Sequence, residues 1–269
     1  MARWPFIRPA PERIGKAMRV GAIVAAGLVA AILAGCQAAP VTGRNQFIVL
    51  PESQDAQMGL DAYQQILSES TISNDPSLNA RVQEVGRRIA AASPHPEWDW
   101  QFTVIENDEP NAFALPGGKV GVNTGLFQVA KNDDQLAAVM GHEVAHAIAR
   151  HGAERMSQQV LMQAGLAGLG IATDATTAGL AAQAATLAVT LPYSRTQEAE
   201  ADHIGLIYMA QAGYDPREAI ALWQNFESFG GDRPPEFLST HPAPGSRIQN
   251  LQELLPEAMP IYEANRQKQ

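Results

Sequence analysis

The stretch NDDQLAAVMGHEVAHAIARHG, residues 132–152, decides how the rest of the chain is read. Asn132 and Asp133 are capping residues, a dense apolar run follows, and Gly152 is a helix-stopping residue, so one helix is expected from the caps to His151. His142 and His146 stand four apart on one face of that helix, and both imidazoles can reach a single metal ion. Glu143 lies about 100° further round, where it can touch a water on the metal without being a ligand. Zinc suits this H-E-x-x-H pattern because it takes nitrogen and oxygen donors tetrahedrally and leaves a position open for water.

Outward from this helix, a second helical pattern covers 194–212 and is ended by Gly213. Glu198 and Asp202 share one of its faces. One carboxylate can complete the metal shell while the other accepts a proton from a ligating imidazole. Spacing alone does not say which acid does which, and Glu200 and His203 lie close by. The intervening segment 160–191 is rich in Ala, Leu and Gly but holds Asp174 near its middle. That charge would cost roughly 2.5–3.5 kcal/mol at the centre of a bilayer, so a packed helical pair broken near 172–177 is expected, placed to cover the cleft as a lid. Asp215-Pro216-Arg217-Glu218 reads as a further helix start, with Trp223 and Phe226 in the core behind it. His95, His151 and His203 read as structural or surface histidines.

Upstream, 52–67 and 76–92 have apolar residues at helical spacing, and 100–106 and 119–123 read as strands. Between those strands, 111–118 is a short extended segment closed by a turn. The expected fold is α+β, mainly helical, with a small mixed β-sheet flanking the H-E-x-x-H helix.

Composition bounds the function. The chain has 269 residues, 46% hydrophobic, enough for one large domain or two small ones and too apolar for wholesale disorder. One cysteine excludes an internal disulfide framework, and a net charge of −9 argues against a nucleic-acid partner. That charge is uneven: residues 1–35 carry five basic side chains against Glu12, a net of +4, leaving −13 for the remainder. The basic stretch runs into an uncharged apolar run at 20–33, the pattern of a secretory signal too short to span a bilayer permanently. Leu33-Ala34-Gly35-Cys36 looks like a bacterial lipobox, with Cys36 as the lipidation point and a membrane anchor. The expected division is a signal peptide at 1–35, a lipid-anchored tether at 36–51 and a single catalytic domain at 52–269.

The order H-E-x-x-H, then S-R-x-x-E-x-x-A-D at 194–202, then Thr240-His241-Pro242 ahead of Arg247, resembles the gluzincin family that includes HtpX and the CAAX prenyl endopeptidases. Its lipoprotein members, typified by BepA and LoiP, share the lipobox; the chain resembles their shorter form, lacking a tetratricopeptide domain. The resemblance implies a zincin-like fold and one zinc held by His142, His146 and Glu198. It implies Glu143 as catalytic base, Asp202 orienting a ligating histidine, His241 facing substrate or zinc, and Arg247 steadying that region. Asn111, Ala112, Phe113 and Ala114 would bind substrate backbone as an added strand. It further implies a periplasmic endopeptidase at the inner face of the outer membrane of a Gram-negative bacterium, cutting misfolded envelope polypeptides. Outer-membrane assembly machinery is a candidate partner. The rival expectation is a binding or assembly factor that rarely cuts.

Overall fold

The computed structural model describes residues 35–168, 193–229, 236–241 and 246–266. Its axis is α3 (Asp133–Ile148), in which every residue from Gln135 to Ile148 is buried. The Asn132 side chain caps this helix by accepting from the Gln135 N–H at 2.8 Å. A helix apolar on nearly all sides must be enclosed on nearly all sides. Here α2 (Pro76–Ala92), α5 (Arg195–Gln211), α6 (Arg217–Phe229) and strand β4 (Ala112–Leu115) pack around it. Leu136, Met140 and Val144 of α3 join Val82, Ile89, Ile204, Met209, Leu222 and Phe226 in one core. Each such side chain contributes about 1.5–3 kcal/mol relative to exposure.

Glycines let α3 and α5 meet closely beside the motif. A Cβ on Gly205 of α5 would stand 2.8 Å from the Gly141 carbonyl carbon and the His142 nitrogen, and one on Gly141 would stand 2.9 Å from the Gly205 oxygen. Only two glycines allow the backbones of α3 and α5 to come this near, and that approach sets the distance between the histidines and Glu198.

Three strands cover one side of α3 in the order β3-β5-β4: β3 (Gln101–Ile105) is parallel to β5 (Lys119–Asn123), and β4 is antiparallel to it. Leu115 pairs with Lys119 across a turn in which Gly117 and Gly118 take φ of 77° and 82°, a region that disfavours side chains. Helix α1 (Glu52–Glu69) closes over this turn, and α8 (Arg247–Asn265) packs against α5. With α4 (His151–Gly168) and the short α7 (Glu236–Thr240), eight helices and a small mixed sheet stand among the described residues, an α+β fold as expected. No helix among them is long and apolar enough to cross a membrane.

Two expectations differ from what the structure shows. Residues 36–51, expected to form a tether, carry a β-hairpin, β1 (Cys36–Ala38) paired with β2 (Asn45–Phe47), and Gln46 donates to the Ala149 carbonyl at 2.7 Å. The helix expected to reach His151 ends at Ile148 instead. Arg150 takes a left-handed φ of 54°, its guanidinium held by Asp55 at 3.0 Å and the Leu50 carbonyl at 2.7 Å. A new helix begins at His151, so Gly152 lies in a first turn and does not stop anything. Helix α4 runs on to Gly168; the break expected near 172–177 and the lid role lie outside the described residues.

Candidate active site

His142 and His146 project from one face of α3 with their Nε2 atoms 3.1 Å apart. Glu198, in the first turn of α5, meets both: Oε2 is 3.4 Å from Nε2 of His142 and Oε1 is 3.4 Å from Nε2 of His146. A Ser194–Gln197 capping box fixes that turn. Nitrogen and oxygen donors bound tetrahedrally at 2.0–2.2 Å from zinc stand about 3.3–3.5 Å from one another. The two edges to Glu198 match that figure, and the edge between the histidines, at 3.1 Å, is slightly shorter.

The other ring nitrogens explain why a cation belongs there. Nδ1 of His142 lies 2.9 Å from Oδ1 of Asp202, and Nδ1 of His146 lies 2.8 Å from Nδ1 of His151. With hydrogens on those outer nitrogens, the two Nε2 lone pairs point at each other and at a carboxylate, inside a protein, with no proton between them. A positive ion reconciles the arrangement. The surroundings favour positive charge there: burial disfavours a charged His142, yet Asp202 and Glu198 outweigh it and raise its pKa to about 9, so a proton takes the Nε2 position whenever a metal does not. Burial likewise pushes the Glu198 carboxyl up, and its hydrogen bonds to His142, His146 and His241 reverse this and hold it well below the carboxylate range.

His241, at the end of α7, brings Nδ1 within 3.3 Å of His142 Nε2 and 3.1 Å of Glu198 Oε1. It is therefore a fourth residue able to reach the same ion. Its other nitrogen lies 3.4 Å from Oε1 of Glu143. That Glu143 oxygen is buried and accepts no hydrogen bond among the described residues. Burial raises the Glu143 carboxyl, against the pull of His241 and His142. Arg247, at the start of α8, donates to Asp202 at 2.6 Å and to Glu198 at 2.5 Å while its guanidinium lies 3.8 Å over the Trp223 ring. Every one of these side chains is buried.

A cleft opens onto this cluster, lined by Asn111, by Ala112, Phe113 and Ala114 of β4, and by Glu143, His146 and His241. All the residues expected at the site from sequence thus meet there; Cys36 stands apart, exposed at the start of the hairpin. Others were not anticipated. Tyr193 stacks on His146 with ring centroids 3.9 Å apart, and Phe237 stacks on His241 at 4.5 Å. His151, expected to be structural or on the surface, is wholly buried between His146 and Glu200. Tyr193 adjoins the Ser194 cap, a position from which its closeness to Glu198 was readable; His151 gave no such signal.

Comparison with known proteins agrees with this geometry. The model of peptidase family M48 matches residues 76–255. The chain is 37% identical over 224 residues to mitochondrial metalloendopeptidase OMA1 of Schizosaccharomyces pombe, covering 81% of this chain and 66% of that protein. It is 31% identical over 233 residues to the beta-barrel assembly-enhancing protease of Escherichia coli, covering 82% of this chain and 48% of that protein. A putative beta-barrel assembly-enhancing protease of Vibrio cholerae is 36% identical over 216 residues, of which this chain spans 44% of the length. With the match, the paired histidines and the buried acid in place, the chain belongs to peptidase family M48, the zinc-dependent gluzincin metallopeptidases, and is a metalloendopeptidase.

Proposed function

We propose that the protein hydrolyses peptide bonds in misfolded or unassembled envelope polypeptides, with His142, His146 and Glu198 holding one zinc. The observation that carries this reading is the convergence of three donors at 3.1–3.4 Å beside a buried oxygen of Glu143 that accepts no hydrogen bond among the described residues. A zinc held by these residues would supply Lewis-acid chemistry, polarising a carbonyl and lowering the pKa of a bound water towards about 7. Glu143 accepts the proton of the attacking water and hands it to the leaving amine. Its burial, which raises the carboxyl, suits the second half of that shuttle. His241 is placed to donate to the developing oxyanion. Asp202 steadies the His142 ring and Arg247 grips both acids. Asn111, Ala112, Phe113 and Ala114 line the cleft, and the edge of β4 turned away from β5 would take an extended client as an added strand, so main-chain hydrogen bonds do the recognising and flexible chains are favoured.

Location rests on the first 36 residues: a basic start, an apolar run and Cys36 as lipid attachment point. On this reading 1–35 is removed, the hairpin at 36–51 follows the lipid, and 52–269 is the catalytic domain, held in the periplasm at the outer membrane. The bacterial relatives' name, assembly-enhancing protease, supports an envelope role and a link to outer-membrane assembly. It also favours a second reading, an assembly factor that holds clients and seldom cuts. Replacing Glu143→Gln separates the two: casein cleavage is expected to vanish while zinc stays bound, and cleavage at the wild-type rate would refute the mechanism. Restoration of outer-membrane assembly by the inactive variant would favour the second reading. Labelled palmitate should be incorporated by the wild type and not by Cys36→Ala.

A further inference from the structure

His146 depends on a chain of contacts that reaches the amino-terminal hairpin. Its Nδ1 meets Nδ1 of His151 at 2.8 Å, and Nε2 of His151 meets Oε2 of Glu200 at 2.9 Å. Glu200 also accepts from Nε of Arg44 at 2.7 Å and from the Thr42 hydroxyl. Arg44 in turn grips Glu154 through both terminal nitrogens at 2.8 Å. Thr42 and Arg44 sit in and beside the turn joining β1 to β2.

The break after α3 is what makes the first contact possible. On an unbroken helix, residues 146 and 151 would lie about 140° apart and face different ways. The left-handed Arg150 folds the chain so that the His151 ring returns to His146. Proton placement along the chain then has one consistent form. His146 presents the Nε2 lone pair to the ion, so its Nδ1–H donates to His151; that ring must donate its own Nε2–H onward, and the Glu200 carboxylate accepts it.

We infer that His151 is a positioning residue for the zinc ligand His146, and that Glu200, Arg44 and Thr42 extend this support so that the hairpin is part of the metal site. This rests on His146 being a zinc ligand, as proposed above. Partners of a ligating imidazole typically change metal affinity 10–100-fold when removed.

The test is zinc affinity, read by competition with a chromophoric chelator, together with the visible spectrum of the cobalt-substituted full-length protein. His151→Leu keeps roughly the volume and removes the acceptor; His151→Gln restores one. Zinc affinity is expected to fall 10–100-fold in His151→Leu, with an altered cobalt spectrum, and to recover to within about threefold of wild type in His151→Gln. Wild-type affinity and spectrum in His151→Leu would overturn the inference, as would an equal loss in both variants, which would mark a merely structural role. Should His151→Leu fail to fold, Arg44→Gln carries the test: a severalfold loss is expected, and none would overturn the hairpin's part. His146→Ala keeps the two readings distinct. If it binds zinc like the wild type, His146 is not a ligand and the site itself is wrong; if it loses zinc while His151→Leu does not, only the support chain fails.

Discussion

The two histidines of one motif are held by opposite ends of the chain. His142 is backed by Asp202 from α5 and Arg247 from α8, a charged pair in which the arginine is 3% exposed and also grips Glu198. His146 is backed by His151, Glu200 and Arg44, a longer chain ending in a hairpin arginine whose side chain is 25% exposed. The first support is short, dry and doubly charged; the second ends at solvent. Removing a partner from a dry pair strands a charge, whereas removing one at the surface lets water take its place.

Arg247→Ala breaks the comparison most sharply. It leaves Glu198 and Asp202 buried without their cation, and a loss of about 3–5 kcal/mol in denaturant-derived stability is expected for the metal-free protein. A change below about 1 kcal/mol would show the dry support to be no firmer than the wet one. Gly205→Ala strikes both sides alike, since its Cβ would push α5 from α3 and draw Glu198 from both histidines. An expected cost of about 1–3 kcal/mol should come with weaker zinc binding; unchanged affinity would mean the helix approach does not set the donor spacing. The smallest effect belongs to the hairpin end. Arg44→Ala leaves Glu154 and Glu200 buried, yet Gln197 and His151 still donate to them and water can enter where the arginine was partly exposed, so a loss of about 1–2 kcal/mol is expected in the same denaturant series; a loss matching that of Arg247→Ala would make the two supports equal.

The same contrast explains what could be read from sequence. His142, Glu143 and His146 were legible because helical geometry alone puts them together, and strand β5 because Val120 and Val122 alternate. Glu198 and Asp202 were legible as a pair but not as individuals: both lie on one face and both accept from Arg247, and only the packing of α5 on α3 sets Glu198 against the Nε2 atoms of His142 and His146 and Asp202 against Nδ1 of His142. His241 could be tied to the site by resemblance, and its 3.1 Å approach to Glu198 is a matter of three dimensions. His151 was hidden because the break before it uses an arginine in a left-handed conformation, which few residues other than glycine adopt. The hairpin was hidden because strands of three residues, Cys36–Ala38 and Asn45–Phe47, are too short to show a period.

The crossing of α3 and α5 has a consequence for endurance as well as for chemistry. His146 and Glu198 are about 50 residues apart in the chain, so an ion shared between them closes a long loop. By the chain-entropy argument used for disulfides, such a closure withdraws freedom from the unfolded ensemble on the order of 4 kcal/mol. A protein with a single cysteine has no disulfide of its own to do this. A zinc shared by His146 and Glu198 would act as a long-range cross-link as well as a catalyst, and the protein stripped of it would stand closer to its own unfolded state.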